Sequence, residues 1–190
     1  MISIGLQYNS DVWQLFSAIS EISVDIIIMT NLAILEGMEA RFAEVQKLVK
    51  PDRAKVKKFG QVFTPQKIVD EMLDRVSDEE WKRHDLTTHD MCSGYGQFTI
   101  RILRRRYELM HEDFDILHFL YEYHLFSEIQ LELCQHIFYI FGKQIRMLIG
   151  DISKMNLLPD EAEHGIWVIE NDVWHDRTKK ILKTQLISFL

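Results

Sequence analysis

Asp90-Met91-Cys92-Ser93-Gly94-Tyr95-Gly96-Gln97-Phe98 is the stretch that decides the fold. It follows a short strand-like run, Leu86 to Asp90, and opens an apolar-periodic helix near Gln97. A strand that ends in an acid, turns through two glycines and re-enters a helix has the pattern of a nucleotide-cofactor turn. Glycines there let the backbone approach a ligand closely and take φ values denied to other residues. The helix N-terminus adds partly positive N–H groups. An ordinary tight connection between a strand and a helix carries the same local signature, so the flanking sequence has to arbitrate.

Downstream, strand-like and helical patterns alternate. Strands are expected at about Thr87–Cys92, Leu125–Glu128, Ile145–Ile149 and Gly165–Ile169. Helices are expected from Gln97 to about Leu109, from Asp113 to Tyr121 and from Gln130 to Phe141. The last of these has Leu131, Cys134, Ile137, Phe138 and Phe141 inward and Gly142 as its stop. A final helix is expected from His175 to about Phe189. Such alternation means βαβ units and a parallel sheet. In these sheets ligands bind beyond the carboxyl ends of the strands, at a switch in strand order. Asp90, Glu128, Asp151 and Asn171 stand at those four ends.

Upstream, Thr64 followed by Pro65 reads as a helix start, an N-cap hydroxyl and then proline at the first helical position. That helix is expected to reach Val76, with Ile68, Val69, Met72, Leu73 and Val76 inward; a short one, capped by Ser77 or Asp78, follows to Arg83. The helix from Gln97 carries Arg101, Arg104, Arg105 and Arg106 toward its C-terminal end, where cations complement the dipole. Lys47 to Lys58 is a basic linker that reads either as a solvated face or as a phosphate-contacting strip. Ser10 to about Lys50 has helical periodicity, with a break expected near Thr30-Asn31 or Gly37. Ile26-Ile27-Ile28 is apolar on more than one face, which fits either burial against a second chain or burial in the chain's own core.

Composition is that of an ordinary globular protein: 190 residues, 47% apolar and 27% charged. The net charge of −7 excludes a globally basic nucleic-acid binder. Cys92 and Cys134 have no metal-ligand spacing, so no metal is expected and a reduced, cytoplasmic setting fits. Met1 to Ser10 lacks the pattern of a signal peptide, and the most apolar run, Val24 to Leu35, is too polar for a membrane span.

Two segments carry a family resemblance. Phe59-Gly60-Gln61-Val62-Phe63-Thr64-Pro65 resembles the F-G-x-x-[FY]-T-P segment of S-adenosylmethionine-dependent DNA methyltransferases of the adenine-N6 group. Asp90 to Phe98 is similar to the D-P-A-C-G-S-G-x-F turn of the same family, and the likeness extends over roughly Lys57 to Trp174. The resemblance implies a Rossmann-like class I methyltransferase sheet of the α/β class. Here it is truncated after about four parallel strands and preceded by an amino-terminal helical extension. The implied division is a helical extension and basic linker over 1–56 and a methyltransferase-like cofactor-binding domain over 57–190.

The resemblance also implies site residues for S-adenosylmethionine. Phe63, Thr64 and Pro65 begin the helix that holds the methionine carboxylate. Asp90, Met91, Cys92, Gly94 and Gly96 form the wall for the amino-acid moiety. Glu128 takes the two ribose hydroxyls, Ile129 packs on the adenine ring, Asp151 takes the exocyclic amine and Ile152 covers its edge. The family's catalytic Asn/Asp/Ser-Pro-Pro-aromatic segment corresponds to Asn171-Asp172-Val173-Trp174, where both prolines are replaced. By that likeness Asn171, which also borders the cofactor, and the Asp172 carbonyl hold a flipped adenine's amine while Trp174 stacks on the base. Asp172 in place of proline loses the fixed φ that would hold this geometry. The implied activity is transfer of a methyl group to adenine N6 in DNA, as in restriction-modification systems. A partner subunit, or a second copy docked through the amino-terminal helices or an open sheet edge, would complete the site. A catalytically impaired cofactor-binding module, or a methyltransferase for RNA or protein, is the alternative.

Overall fold

The computed structural model describes residues 30–50, 54, 57, 63–159, 162 and 164–183. The first part of the amino-terminal helix, Ile26 to Ile28, half of the basic linker, Phe59 to Val62 and the end of the last helix lie outside the described residues.

Helix α1, residues 30–48, runs unbroken through Asn31 and Gly37, so the break expected at Gly37 is absent. Its face of Leu35, Met38 and Val45 is buried in the common core. That face of the described part of the extension is therefore core to its own chain. Then come α2 (Gln66–Leu73), α3 (Asp78–Trp81) and β1 (Thr88–Asp90). The chain continues through α4 (Gln97–Met110), a 3₁₀ turn and α5 (Ile116–Glu122) to β2 (His124–Glu128). Helix α6 (Leu131–Phe141) leads to β3 (Arg146–Ile149) and a second 3₁₀ segment (Ile152–Leu157). Strands β4 (Ile166–Glu170) and β5 (Val173–Asp176) and helix α7 (Thr178–Lys183) follow.

The sheet has five strands in the order β1-β2-β3-β4-β5; the first four pair parallel and β5 pairs antiparallel with β4. The α/β class and four parallel strands match the sequence expectation. Two features do not. The order runs consecutively, so it contains no reversal at which a ligand site could lie. And the residues after Asn171 do not start a helix at His175. They return as β5, with Trp174 opposite Ile169 and Val173 opposite Glu170. The reason is local: Asn171 and Asp172 have φ of 53° and 59°, a left-handed pair that closes a tight hairpin. Asn and Asp tolerate that region better than most residues. The edge of β4 that the sequence left open is thus covered by the chain itself.

Consecutive parallel strands joined by right-handed crossovers place their helices on one face. The contacts agree. His124 meets Thr99 of α4 and Phe119 of α5, and Phe126 meets Phe141 of α6. Ridges of Leu103, Ile137, Ile140 and Leu120 complete this side, all essentially inaccessible. Burying each such side chain contributes about 1.5–3 kcal/mol, so this core carries the fold. Helix α1 lies across it. The Arg41 guanidinium donates twice to the Ile140 carbonyl, at 3.0 and 2.8 Å, near the C-terminal end of α6, where a cation suits the dipole.

Helix boundaries differ in detail. Pro65, not Thr64, is the N-cap of α2, and no side chain caps it. Helix α2 ends at Leu73; Val69 is buried, while Ile68 and Met72, expected inward, are exposed. Leu131, also expected inward, is 65% exposed because it is the first residue of α6, beyond the sheet edge. Ser77 does cap α3, accepting from the Glu80 N–H.

Candidate functional site

A pocket of about 410 Å3 opens at the carboxyl ends of β1, β2 and β3, within the range of small-molecule sites. Its first wall is the glycine turn. Ser93 ties this turn to β2: its N–H donates to the Ser127 carbonyl at 3.0 Å, and its Oγ donates to the Asp90 carbonyl at 2.7 Å. The Ser127 N–H donates back to Ser93 Oγ at 3.1 Å. Held this way, the backbone passes through unusual conformations, with φ of 132° at Cys92, 58° at Gly94 and 87° at Gly96. The two glycines are needed for different reasons. A Cβ at Gly96 would lie 2.3 Å from the Phe141 ring, so α6 packs directly on the turn. A Cβ at Gly94 would meet nothing closer than the Phe63 ring at 3.7 Å, so there only φ demands glycine.

The second wall is Glu128, 6% exposed. Its Oε2 accepts from the Gly94 N–H, and its Oε1 accepts from the N–H groups of Ile129 and Gln130, all at 2.9 Å. A carboxylate has about four acceptor positions. Three are taken, which leaves one at Oε2 for a ligand hydroxyl rather than the two implied by the resemblance. Burial raises the Glu128 pKa, and the three backbone N–H groups oppose that rise. The third wall is the start of the segment after β3, where Asp151 Oδ1 accepts from the Ser153 N–H at 2.9 Å. That bond, the largest influence, lowers the Asp151 pKa. Asp151 therefore caps its turn and also borders the pocket.

Behind the turn runs a buried polar chain across β1, β2 and α4. Thr88 Oγ1 and His124 Nδ1 are 2.6 Å apart, His124 Nε2 and Thr99 Oγ1 are 2.9 Å apart, and Thr99 Oγ1 donates to Asp90 Oδ2 at 3.0 Å. One proton arrangement satisfies all three: Thr88 donates to Nδ1, and Nε2–H donates to Thr99. His124 is neutral there, its pKa depressed to about 3, chiefly by burial. Asp90 is pushed up to about 6, mainly by burial, with the Glu128 charge adding to the rise and the Thr99 bond opposing it.

Nine of the thirteen residues that the sequence assigned to a cofactor line this one pocket: Phe63, Thr64, Met91, Cys92, Gly94, Glu128, Ile129, Asp151 and Ile152. Pro65, Asp90, Gly96 and Asn171 do not. Asp90 turns inward to Thr99, and Gly96 abuts Phe141, so both shape the turn from behind. The lining also includes Ser93, Tyr95, Gln97, Phe98, Ser127, Gln130, Leu133 and Gly150, which the sequence reading passed over. Ser127 and Gly150 each adjoin an assigned strand-end residue, so adjacency was the available signal. Tyr95 gave none. It is held by tilted ring contacts with Phe42 and Phe63, at 5.3 and 5.0 Å, that only the tertiary fold creates.

The proposed catalytic segment is not part of this pocket. Asn171 and Asp172 form the β4–β5 turn, and Asp172 pairs with Lys154 at 3.2 Å. Val173 is exposed. Trp174 is 4% exposed, and its indole N–H donates to the Lys154 carbonyl at 2.9 Å. A ring buried in this way offers no face for stacking on a base. The arginines of α4 are likewise engaged. Arg101 pairs with Asp70, Arg104 with Glu39 and Arg105 with Asp74. Arg106 is buried, with its guanidinium over the Phe114 and Phe119 rings at 4.9 and 4.6 Å.

Among the described residues the lining includes two acids, Glu128 and Asp151, and neither Lys, Arg nor His. That balance fits a ligand bearing positive charge and disfavours one bearing phosphates. Among the described residues, no cluster of His, Cys, Asp and Glu could hold a metal ion, and no helix is long and apolar enough to cross a membrane. No protein-family model matches this chain, and neither does any curated protein or solved structure.

Proposed function

We propose that this pocket binds S-adenosylmethionine and that the chain is a cofactor-binding domain of methyltransferase type. The observation that supports this best is convergence: residues drawn from four separate segments, Phe63-Thr64, Met91 to Gly94, the end of β2 and the end of β3, line one pocket. The charge balance supports the same reading. The cofactor has a sulfonium and an ammonium group and lacks phosphate, so two carboxylates with no cation facing them among the described residues suit it better than a dinucleotide. Glu128 would take a ribose hydroxyl, Ile129 the flat face of adenine, and Asp151 its amine. When bound, the cofactor supplies an electrophilic methyl group. What this chain supplies is the positioning. The consecutive strand order counts against full equivalence with a doubly wound class I sheet, whose order reverses at the ligand.

Calorimetry of the full chain with S-adenosylmethionine tests the reading. Binding is expected, and Glu128→Ala should weaken it roughly 10- to 100-fold, the worth of a charge-assisted hydrogen bond of about 1.5–3 kcal/mol. The absence of heat with the intact chain would overturn it.

Two readings of the acceptor follow. The burial of Trp174 favours a cofactor-binding module that does not itself transfer methyl groups to a flipped base. Transfer to adenine N6 in DNA is the second reading, favoured by the Phe63-Thr64-Pro65 and Asp90 to Phe98 resemblance, with a second copy or a partner chain supplying whatever part of the base pocket one copy lacks. Labelled methyl transfer to duplex DNA by the isolated chain would favour the second reading over the first.

A further inference from the structure

Asn171 to Trp174 lie outside the pocket, but they hold a segment that lines it. Asp151 and Ile152 enter the pocket from the start of the 3₁₀ segment after β3. The hairpin grips that segment at Lys154. The Trp174 indole N–H donates to the Lys154 carbonyl at 2.9 Å, and the Lys154 ammonium lies 3.2 Å from the Asp172 carboxylate. The Lys154 N–H in turn donates to the Asp151 carbonyl at 3.0 Å, and the Ser153 N–H donates to Asp151 Oδ1 at 2.9 Å. Two hydrogen bonds thus connect the indole of Trp174 to the backbone of Asp151, and a third sets the plane of its carboxylate. The left-handed Asn171-Asp172 turn is what brings Trp174 back to this place, since it reverses the chain within two residues.

We propose that Trp174 and Asp172 are positioning residues for Asp151, and that through it they set the pocket's preference for a ligand with an exocyclic amine over one with a carbonyl in its place. The proposal rests on the cofactor reading above. A carboxylate accepts from the amine of adenine and repels the carbonyl oxygen of hypoxanthine, so discrimination depends on where the carboxylate sits. A short segment anchored at one end only loses that placement.

The test measures affinity of the full chain for two probes, S-adenosylhomocysteine and S-inosylhomocysteine. The intact chain should prefer the adenosine compound by about tenfold or more. Trp174→Phe keeps an aromatic ring, though a smaller one, and removes the donor. It should cut the preference to about threefold or less, by weakening the adenosine compound alone. A role confined to stability would weaken both ligands equally and leave the ratio unchanged. Asp172→Asn acts on an exposed side chain, retains a residue suited to the turn and removes the charge opposite Lys154. It should lower the ratio by a smaller factor, and it keeps the question open to measurement if Trp174→Phe misfolds. An unchanged ratio in the folded variants overturns the proposal. Equal affinity of the intact chain for both probes overturns the proposal but leaves the cofactor reading standing. Binding of neither probe removes both.

Discussion

Two turns sit beyond the carboxyl ends of parallel strands, one at each side of the sheet, and do opposite things. After β1 the chain passes Cys92, Gly94 and Gly96 in left-handed or extended positive-φ conformations and enters α4. After β4 it passes Asn171 and Asp172, both left-handed, and returns at once as β5. The first turn leaves its strand's end open and bordered by Glu128 of the neighbouring strand. The second closes its strand's end with hairpin pairing and buries the aromatic residue that follows. A polar residue at the end of a parallel strand is therefore not enough to mark a site. What matters is whether the next residues lead away into a helix or fold back onto the strand.

The contrast breaks most sharply at Gly96. Gly96→Ala combines a left-handed φ, which costs an ordinary residue about 1–2 kcal/mol, with overpacking against Phe141, about 1–3 kcal/mol more. A loss of about 3 kcal/mol or more in urea unfolding is expected, whereas Gly94→Ala should cost only the conformational part. Equal losses in the two variants would show that Phe141 does not brace the turn.

Asp90 offers a second test, through pH. Its carboxyl is pushed up to about 6, above the ~3.9 of an unfolded chain, so the folded state holds the proton more tightly. Its contribution is present below about pH 4 and is lost as pH rises through 6. His124 acts in the opposite sense. Its pKa falls to about 3, below the ~6.5 of the unfolded chain, so stability is lost as pH drops below that value. The two partly cancel between about pH 4 and 6. Asp90→Asn keeps an acceptor for Thr99 and removes the first contribution alone. Its urea midpoint should then fall more steeply between pH 6 and 4, by a difference on the order of 2 kcal/mol. A slope equal to that of the intact chain would show that Asp90 is not the buried acid described here.

The smallest effect is expected at Asn171. Asn171→Ala should cost about 1 kcal/mol of stability, because alanine is poorer than asparagine at positive φ, and Asn171→Gly should cost less. Neither should change affinity for S-adenosylmethionine more than about threefold. Methyl transfer by the intact chain that vanishes in Asn171→Ala, with stability preserved, would put this turn among the catalytic groups and erase the contrast between the two ends of the sheet.

Much of the candidate site was legible because its signals are local. The glycine pair, the acid at the end of β2 and the Gly150-Asp151 step each follow a strand that alternation and length reveal. Thr64 was placed in the pocket although its capping role was misread. The hairpin had a local signal too: Asn-Asp at the end of a strand favours positive φ. It was outweighed by the helical pattern expected from His175 onward, which in the structure begins only at Thr178.

By itself, then, the sequence determined the α/β class, the four parallel strands, the turn at Asp90 to Phe98 and most of the pocket lining. These depend on periodicity and on conformational limits that act within a few residues. Only the tertiary structure decided the consecutive strand order, the inward turn of Asp90 toward Thr99, the engagement of Glu128 by three backbone N–H groups and the burial of Trp174 against Lys154. Apart from the Ile129 and Gln130 N–H groups, which follow Glu128 directly, each joins residues separated along the chain. Which distant partner wins depends on packing and on satisfying buried polar groups, and local pattern does not encode that choice. The turn at Asp90 to Phe98 has its chemistry from the sequence, and its depth, acidity and aromatic wall from the fold around it.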